Sequence, residues 1–272
     1  MGFLENEIRR IEGRRWRLAL RILVVVAVVV IAVLAASWFL SYTKERSVAV
    51  IPVEGTLTTS DISTTDEAGS EFIGGEIRDA ADDPLVEAIV LRVDSPGGSP
   101  AGAQEIVSDM EYAKARKPVV VSMGDIATSA AYLVSAHATM IYADPDTLTA
   151  GVGAIWVVTD VSTWLEHEGY NVTVLKSGTF KDLASPYRPM TAEDQAYAQS
   201  LVNASFDRFL DDVASQRNVN RSVIEDGRVI RGEDAVKLGL VDRLGNLNDA
   251  VDGARALAAN ASLRSSAPGL PS

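Results

Sequence analysis

A serine at position 129 has the type and the setting of a nucleophile. It lies in the stretch GDIATSAAYLVSAHA (residues 124–138), directly after the apolar run KPVVVSM and at the start of a predicted helix. A serine hydroxyl at such a junction has two interpretations. It can accept a hydrogen bond from the first N–H groups of the helix as an N-cap, or it can attack a carbonyl when a neighbouring base removes its proton. The segment alone favours the cap, so the choice depends on the rest of the chain.

Histidine does not supply that base. The chain has two histidines and no cysteine. His137 lies eight residues further along the same predicted helix, about 12 Å from Ser129 by helical rise. His167 lies in EHEGYN, near a predicted turn, where a surface histidine is expected. HEGYN lacks the second histidine of the HExxH zinc motif, and no GxSxG sequence is present. We therefore expect no metal and no cofactor, and the lack of cysteine also excludes thiolate catalysis.

Lysine is the remaining candidate base. Lys176 and Lys181 lie in LKSGTFKDLASPYRPMTAED, an irregular stretch between a predicted strand and a long predicted helix. A lysine that works as a base near neutral pH needs its pKa lowered from about 10.4 to about 7–8, which corresponds to roughly 4 kcal/mol. Burial in an apolar pocket has that effect, and Phe180, Leu183 and Tyr187 are candidate walls. The alternative interpretation of each lysine is an exposed surface charge.

A glycine pair is the third chemical feature. Gly97 and Gly98 lie in VDSPGGSPAG, between a predicted buried strand and a helix. Glycine lets backbone N–H groups approach a ligand closely, and a helix N-terminus favours negative charge. The loop therefore suits an oxyanion hole. A tight turn that needs positive φ is the other interpretation.

The elements that must position these residues alternate between strand and helix. Buried strands are predicted at 47–55, 87–93 and 118–123, with a polar loop at 56–70 and a further strand at NVTVLKSG (171–178). From Thr191 onward the pattern is mostly helical, and Thr191 with Asp194 forms a capping-box pattern. This alternation predicts an α/β fold in which a largely parallel sheet is covered by helices.

The N-terminal region predicts a membrane anchor. Residues 22–40, ILVVVAVVVIAVLAASWFL, are free of charge and long enough to span a bilayer as one helix. Six arginines precede this run, so the positive-inside rule places the N-terminus in the cytoplasm and the rest outside the cell membrane. A cleaved signal peptide is the alternative. The predicted organisation is a basic segment at 1–21, the span at 22–40, an exterior domain at 41–258 and a disordered tail at 259–272.

The overall charge argues against one class of partner. The formal net charge is −12 at pH 7, and the arginine-rich segment before residue 22 makes the remainder more acidic still. Nucleic acid is therefore not an expected partner.

Together these pieces resemble the signal peptide peptidase A family, membrane-anchored serine proteases with the Clp-protease and crotonase fold. The resemblance runs from about residue 48 to residue 258. It is carried, in the family's order, by VLRVDSPGGSPAGAQEI, KPVVVSMGDIATSAAYLVSA, ADPDTLTAGVGAI, LKSGTFKDLASPYRPMTAED and RGEDAVKLGLVDRLGNLNDAV. It implies that Ser129 is the nucleophile and Lys181 the general base. It also implies an oxyanion hole from the N–H of Gly97 or Gly98 and that of Ala130.

Two departures from the family pattern concern the site itself. Ala130 and Ala131 follow the serine where the family commonly has two glycines, and the added methyl groups would narrow the cleft. Gly151 stands in TLTAGVG where the family often has a serine that orients the lysine. Thr149 or Thr128 would have to take over that role.

The resemblance implies a membrane-bound serine endopeptidase and a homo-oligomer. Its expected substrates are hydrophobic peptides such as cleaved signal peptides. A protease dedicated to processing one membrane protein is one alternative. A pseudoprotease that binds hydrophobic segments without cutting them is another, motivated by the departures above. A crotonase-type acyl-CoA enzyme does not suit the predicted exterior placement.

Overall fold

The structure is a computed structural model that describes residue 16, residues 22–37 and residues 47–266, with side chains described as far as residue 263. It divides into two units, Met1–Arg46 and Ser47–Ser272. In the first unit, residues 22–37 form helix α1, and the last three residues of the predicted 22–40 span lie outside the described residues. Over the described ranges, no helix combines the length and the apolarity that crossing a membrane requires. The anchor therefore stays a prediction.

The second unit contains one sheet that is almost wholly parallel. Its strands run in the order β2-β1-β3-β4-β5-β8, and β6 pairs with the end of β4 in parallel and with β7 in antiparallel orientation. The strands are β1 (Ser47–Thr58), β2 (Glu67–Gly69), β3 (Val86–Gly98), β4 (Val119–Thr128), β5 (Met140–Ala143), β6 (Leu148–Ala150), β7 (Val229–Arg231) and β8 (Arg243–Leu244). The predicted α/β class with a parallel sheet is confirmed.

Helices cover both faces of this sheet. They are α2 (Ser70–Asp82), α3 (Pro100–Lys114), α4 (Ala130–Ala136), α5 (Ser162–His167), α6 (Ala192–Arg217), α7 (Gly232–Lys237) and α8 (Leu247–Ser266). Alternate residues of a strand point to opposite faces. In β3, Ile89 and Leu91 join the large core with α2 and α3, whereas Ala88 and Val90 pack with α8 on the other face. This two-sided burial explains the continuous apolar runs in the sequence.

The strands that lead to the site are longer than predicted. β3 continues to Gly98 because its polar end pairs with β1, and β4 continues to Thr128 because its end pairs with β6; Ser95 and Ala127 also lie opposite each other. β1 likewise continues to Thr58, so the predicted loop at 56–70 is shorter. These extensions carry the glycine pair and Ser129 to the same end of the sheet.

Two predicted segments are wrong. Residues 171–178 form no strand, and Val174 and Leu175 are 40% and 93% exposed. Apolar alternation makes a strand only where a partner strand takes up its backbone hydrogen bonds. The tail predicted from residue 259 is also wrong up to residue 266, because α8 continues through an alanine-rich stretch of high helix propensity to Ser266. Residues 267–272 lie outside the described residues.

Candidate active site

Ser129 stands between β4 and α4 in a strained backbone conformation. Its φ is 55° and its ψ is −127°, backbone angles that residues other than glycine rarely adopt. Its N–H donates to the carbonyl of Ala150 at 2.8 Å, and its side chain makes no capping hydrogen bond with α4. The cap interpretation is therefore wrong. Strain of this kind concentrates at functional sites and persists where the surrounding structure fixes it.

Two cavities meet at Ser129. The first has a volume of about 310 Å³ and a mainly apolar lining that includes Leu133, Ile155, Trp156, Leu201 and Phe209. The second has a volume of about 550 Å³ and includes Thr128, Gly151, Gln199 and Asn203. Helix α6 contributes side chains to both. A polypeptide bound across the serine would therefore have an apolar pocket on one side and a wider, more polar one on the other.

The glycine pair at the end of β3 packs directly against Ser129. A Cβ atom on Gly97 would lie 2.8 Å from the Ala130 nitrogen and 2.9 Å from the Ser129 Cβ. A Cβ on Gly98 would lie 2.4 Å from the Leu57 carbonyl oxygen. Their φ values are 98° and 146°, so both positions require glycine. The predicted positive φ and the predicted close approach are therefore both present, but the two glycines lie in strand β3 and not in a turn.

The two glycines differ in what their N–H groups do. The Gly97 N–H donates to the Ser95 hydroxyl at 3.1 Å in a buried hydrogen bond. Gly98 lines the apolar cavity beside Ser129 and Ala130. Ala130 is the first residue of α4, where backbone N–H groups have no intrahelical acceptor. The Gly97 N–H is thus already bonded, whereas Gly98 and Ala130 both line the cavity beside Ser129.

A side chain at Gly151, where the family often has a serine, would be in van der Waals contact with its surroundings. A Cβ on Gly151 would lie 3.4 Å from the Thr128 Cβ and 3.5 Å from the Ser129 nitrogen, so a side chain there would adjoin Ser129. The Thr128 hydroxyl donates to the Pro96 carbonyl at 3.1 Å, and the Thr149 hydroxyl donates to the Ala127 carbonyl at 2.9 Å. Thr128 lines the second cavity, so it is the better placed of the two to accept a hydrogen bond there.

The two candidate lysines have different surroundings. The Lys176 ammonium lies 2.6 Å from the Asp182 carboxylate and 2.9 Å from the Thr179 carbonyl. Lys181 is exposed, and within the described part of the chain its side chain has no hydrogen bond or ion pair. Lys181 lines neither cavity at Ser129, and the predicted apolar pocket does not enclose it in a single chain. Lys176 therefore has an ion-pair partner, whereas Lys181 has none within the described part of the chain.

Sequence reasoning missed an ion network in the lysine segment. Arg188 bridges Asp182 at 2.8 Å and Asp194 at 2.6 Å, and Asp194 completes the predicted capping box with Thr191. Hydrogen bonds from Arg188 and then Lys176 hold the pKa of Asp182 well below its ordinary value. Hydrogen bonds from Arg188 and Thr191 lower the pKa of Asp194 to about 2. The opposite charges of the Lys, Asp and Arg residues in this stretch were the sequence signal that could have indicated the network.

The histidines play no part at Ser129, as predicted. His137 is buried between Glu111 and Asp212, with its two ring nitrogens 3.1 Å from a carboxylate oxygen of each. His167 is exposed as the last residue of α5. Across residue 16 and the ranges 22–37 and 47–266, no cluster of three or more His, Cys, Asp or Glu side chains has the arrangement to hold a metal ion.

Comparisons with known proteins give one consistent family. Residues 111–261 match the profile of Peptidase family S49. The chain is 37% identical over 216 residues to Protease 4 of Salmonella typhi, covering 78% of this chain and 35% of that protein. It is 33% identical over 220 residues to Protease 4 of Haemophilus influenzae, covering 79% and 35%. It is 28% identical over 222 residues to the chloroplastic serine protease SPPA of Arabidopsis thaliana, covering 79% and 33%.

The lengths of these relatives differ from that of this chain. The chain spans 33% to 63% of the length of these three and five further curated relatives. Among solved structures, a variant of the 1510-N membrane-bound stomatin-specific protease overlaps with a TM-score of 0.48 at 17% identity, covering 75% of this chain and 83% of that one.

Proposed function

Because this chain belongs to peptidase family S49, we propose that it is a serine endopeptidase with Ser129 as nucleophile and Lys181 as general base. One observation carries the proposal. Ser129 is held in a strained conformation with an uncommitted hydroxyl, at the point where two cavities meet. A structural serine would use its hydroxyl as a cap or would adopt an ordinary backbone conformation.

The proposed reaction is acyl transfer to the serine followed by hydrolysis. The neutral amine of Lys181 takes the hydroxyl proton while Ser129 Oγ attacks the peptide carbonyl carbon. The N–H groups of Gly98 and Ala130 donate to the resulting oxyanion. The C–N bond then breaks, and the lysine returns its proton to the leaving amine. Water, deprotonated by the same lysine, then attacks the acyl carbon; the bond from that carbon to Ser129 Oγ breaks, and the lysine returns the proton to Oγ as the carboxylic acid product leaves.

We propose that the lysine reaches the serine of a second copy of the chain. Lys181 lines neither cavity of its own chain, and large apolar side chains of the kind that oligomer interfaces cover are exposed at residues 155–157 and in the segment that carries Lys181. Among these, Ile155 is 90% exposed, Val157 79% and Leu175 93%. Contact with a second copy would bury this surface and would place the lysine in the apolar surroundings that a neutral amine requires.

The proposed substrates are hydrophobic peptides, with cleaved signal peptides as the leading class. The apolar cavity beside Ser129 favours such side chains. The predicted span at 22–40 would hold the exterior domain beside the membrane, where these peptides arise, with the N-terminus in the cytoplasm. A protease dedicated to one membrane protein uses the same chemistry, and peptide profiling of the active enzyme separates the two.

A pseudoprotease that binds apolar segments is the second candidate. It is favoured by Gly151, which leaves no hydroxyl at the position where the family often has a serine that orients the lysine. In this alternative the cavities bind peptides and Ser129 is not acylated.

A covalent inhibitor separates these functions. The full-length protein is treated with a fluorophosphonate probe, and its intact mass is measured before the modified residue is mapped. We expect one adduct per active site, on Ser129, and none in Ser129→Ala. A well-folded oligomer that is never labelled supports the pseudoprotease.

The source of the lysine has its own test. Ser129→Ala and Lys181→Ala chains are each inactive under the proposal, but co-expressed chains form mixed oligomers. If the lysine acts between copies, mixed oligomers recover part of the peptidase activity. If activity never returns although mixing is verified by mass, the lysine acts within its own chain.

A further inference from the structure

The segment that carries Lys181 has almost no regular structure of its own. Residues 171–190 form only turns and bends, and residues 170–181 are all exposed. Such a segment does not hold a side chain in place unless specific contacts fasten it to a rigid element. The nearest rigid element in the chain is α6, which begins at Ala192 and lines both cavities at Ser129.

Arg188 makes that connection. Its Nε and Nη2 atoms donate to the two Asp182 carboxylate oxygens, each at 2.8 Å. Its Nη1 donates to Asp194 at 2.6 Å and to the Pro189 carbonyl at 3.0 Å. Asp194 is almost fully buried and also accepts from the Thr191 N–H at 3.0 Å. One guanidinium thus links the residue next to Lys181 to the first turn of α6.

The same contacts occupy the carboxylate that stands next to Lys181. Both oxygens of Asp182 receive a hydrogen bond from Arg188, and one of them also receives the Lys176 ammonium at 2.6 Å. The Asp182 side chain is only 9% exposed, so it is largely shielded from water. A free carboxylate in this position would attract the Lys181 ammonium and keep it protonated.

We infer that Arg188 is a positioning residue for Lys181: it anchors the lysine segment to α6 and keeps the Asp182 carboxylate from pairing with the lysine. This inference rests on the proposed function, since it requires Lys181 to be the base. A lysine at position 188 would not serve equally well. Only the planar guanidinium fork bonds both oxygens of one carboxylate while a third nitrogen contacts another.

The test compares Arg188→Ala and Arg188→Lys with a matched control in the full-length protein. Arg221 is the control, because it also bridges two aspartates, Asp207 at 2.9 Å and Asp211 at 2.8 Å, and lines neither cavity. For each variant, kcat and KM for a fluorogenic apolar peptide are measured across pH, together with the melting temperature.

We expect Arg188→Ala to lower kcat by about 10- to 100-fold, as misplacement of a reacting group does, with KM changed by less than about threefold. The acid limb of its kcat–pH profile should move to higher pH, because the Asp182 oxygen that Arg188 Nε contacts is then free to hold a proton on the lysine, while Lys176 still pairs with the other oxygen. Arg188→Lys should fall between wild type and Arg188→Ala. Arg221→Ala should match wild type in both respects.

A second substitution separates the anchoring of the segment from the occupation of the Asp182 carboxylate. It also keeps the inference testable if Arg188→Ala does not fold. Asp182→Asn keeps the shape of the side chain but removes its charge, so we expect a lower kcat with an unmoved acid limb. Adding it to Arg188→Ala should return the acid limb to its wild-type position without restoring kcat. If Arg188→Ala or Asp182→Asn behaves like Arg221→Ala while Lys181→Ala is inactive, the positioning role is refuted and the proposed dyad stands. If Lys181→Ala keeps full activity, the dyad fails and the positioning role fails with it.

Discussion

The strained backbone conformation of Ser129 should make the folded protein less stable than it would be with glycine at this position. Its φ of 55° and ψ of −127° match the first central position of a type II′ turn, which glycine dominates. We therefore expect Ser129→Gly to be inactive but more stable than Ser129→Ala. Alanine keeps the Cβ atom that is strained in this conformation, whereas glycine removes it.

The size of the effect follows from two opposing terms. A non-glycine residue in such a region costs about 1–3 kcal/mol. Removing this strain with glycine is offset by about 0.5–1 kcal/mol, because the unfolded Ser129→Gly chain has more conformational entropy to lose on folding. The net gain of Ser129→Gly over Ser129→Ala is then roughly 0.5–2 kcal/mol, or a few degrees in melting temperature for a domain of this size.

The hydroxyl itself should contribute little. Because the Ser129 side chain makes no capping hydrogen bond, the free energy of unfolding of Ser129→Ala should lie within about 0.5 kcal/mol of that of wild type, as it does for neutral substitutions. Loss of a true N-cap would cost about 0.5–2 kcal/mol.

The assay is thermal melting of the three proteins at equal concentration in the same solution conditions. The assembly state of each protein is checked by size-exclusion chromatography, since a change of oligomer would also shift the melting temperature. The reasoning is refuted if Ser129→Gly melts at or below Ser129→Ala. A large loss in Ser129→Ala alone would restore the cap interpretation.

Three further predictions concern stability. Thr191→Ala should lower the free energy of unfolding by about 1 kcal/mol, because the capping box at the start of α6 loses its hydroxyl; denaturant titration measures this, and an unchanged midpoint contradicts it. Asp182 and Asp194 have lowered pKa values in the folded protein, so their contribution is complete above the unfolded value of 3.8 and is lost as the pH falls toward about 2. The melting temperature should therefore fall less between pH 5 and pH 2 in Asp182→Asn than in wild type. Equal falls would refute the link between protonation of Asp182 and stability. Tyr132→Phe should cost about 1 kcal/mol, because it leaves the Leu240 carbonyl, now a partner at 2.8 Å, without a donor in the core. A melting temperature equal to wild type would show that this bond is energetically neutral.

Local sequence signals predicted the parts of the fold that depend on short-range chemistry. The apolar runs indicated buried parallel strands, and β3 and β4 contain them. Thr191 and Asp194 indicated the start of α6, and both halves of the capping box are present. The position of Ser129 between a strand and a helix was also readable, because the apolar run, the hydroxyl and the helical pattern are adjacent in the chain.

The parts that were missed depend on contacts between distant segments. The polar ends of β3 and β4 are strands because they pair with β1 and β6, and at one position with each other, which no local pattern reveals. Residues 171–178 alternate between apolar and polar residues as a strand does, but they pair with no strand in the described part of the chain. The bridge from Asp182 through Arg188 to Asp194 requires an irregular segment to fold back on a helix start, and charge spacing alone does not specify that path.

The way β4 changes partners has a consequence for any compound directed at the cleft. Its first half lies beside β5, but its last three residues, Ile126 to Thr128, lie beside β6, and Ala127 also faces β3. The end of β4 that precedes Ser129 is thus paired with β6 up to its final residue, and with β3 as far as Ala127. If Ser129 is the nucleophile, an inhibitor would therefore meet a serine whose position its strand already fixes, and selectivity between homologues would depend on the side chains that line the two cavities.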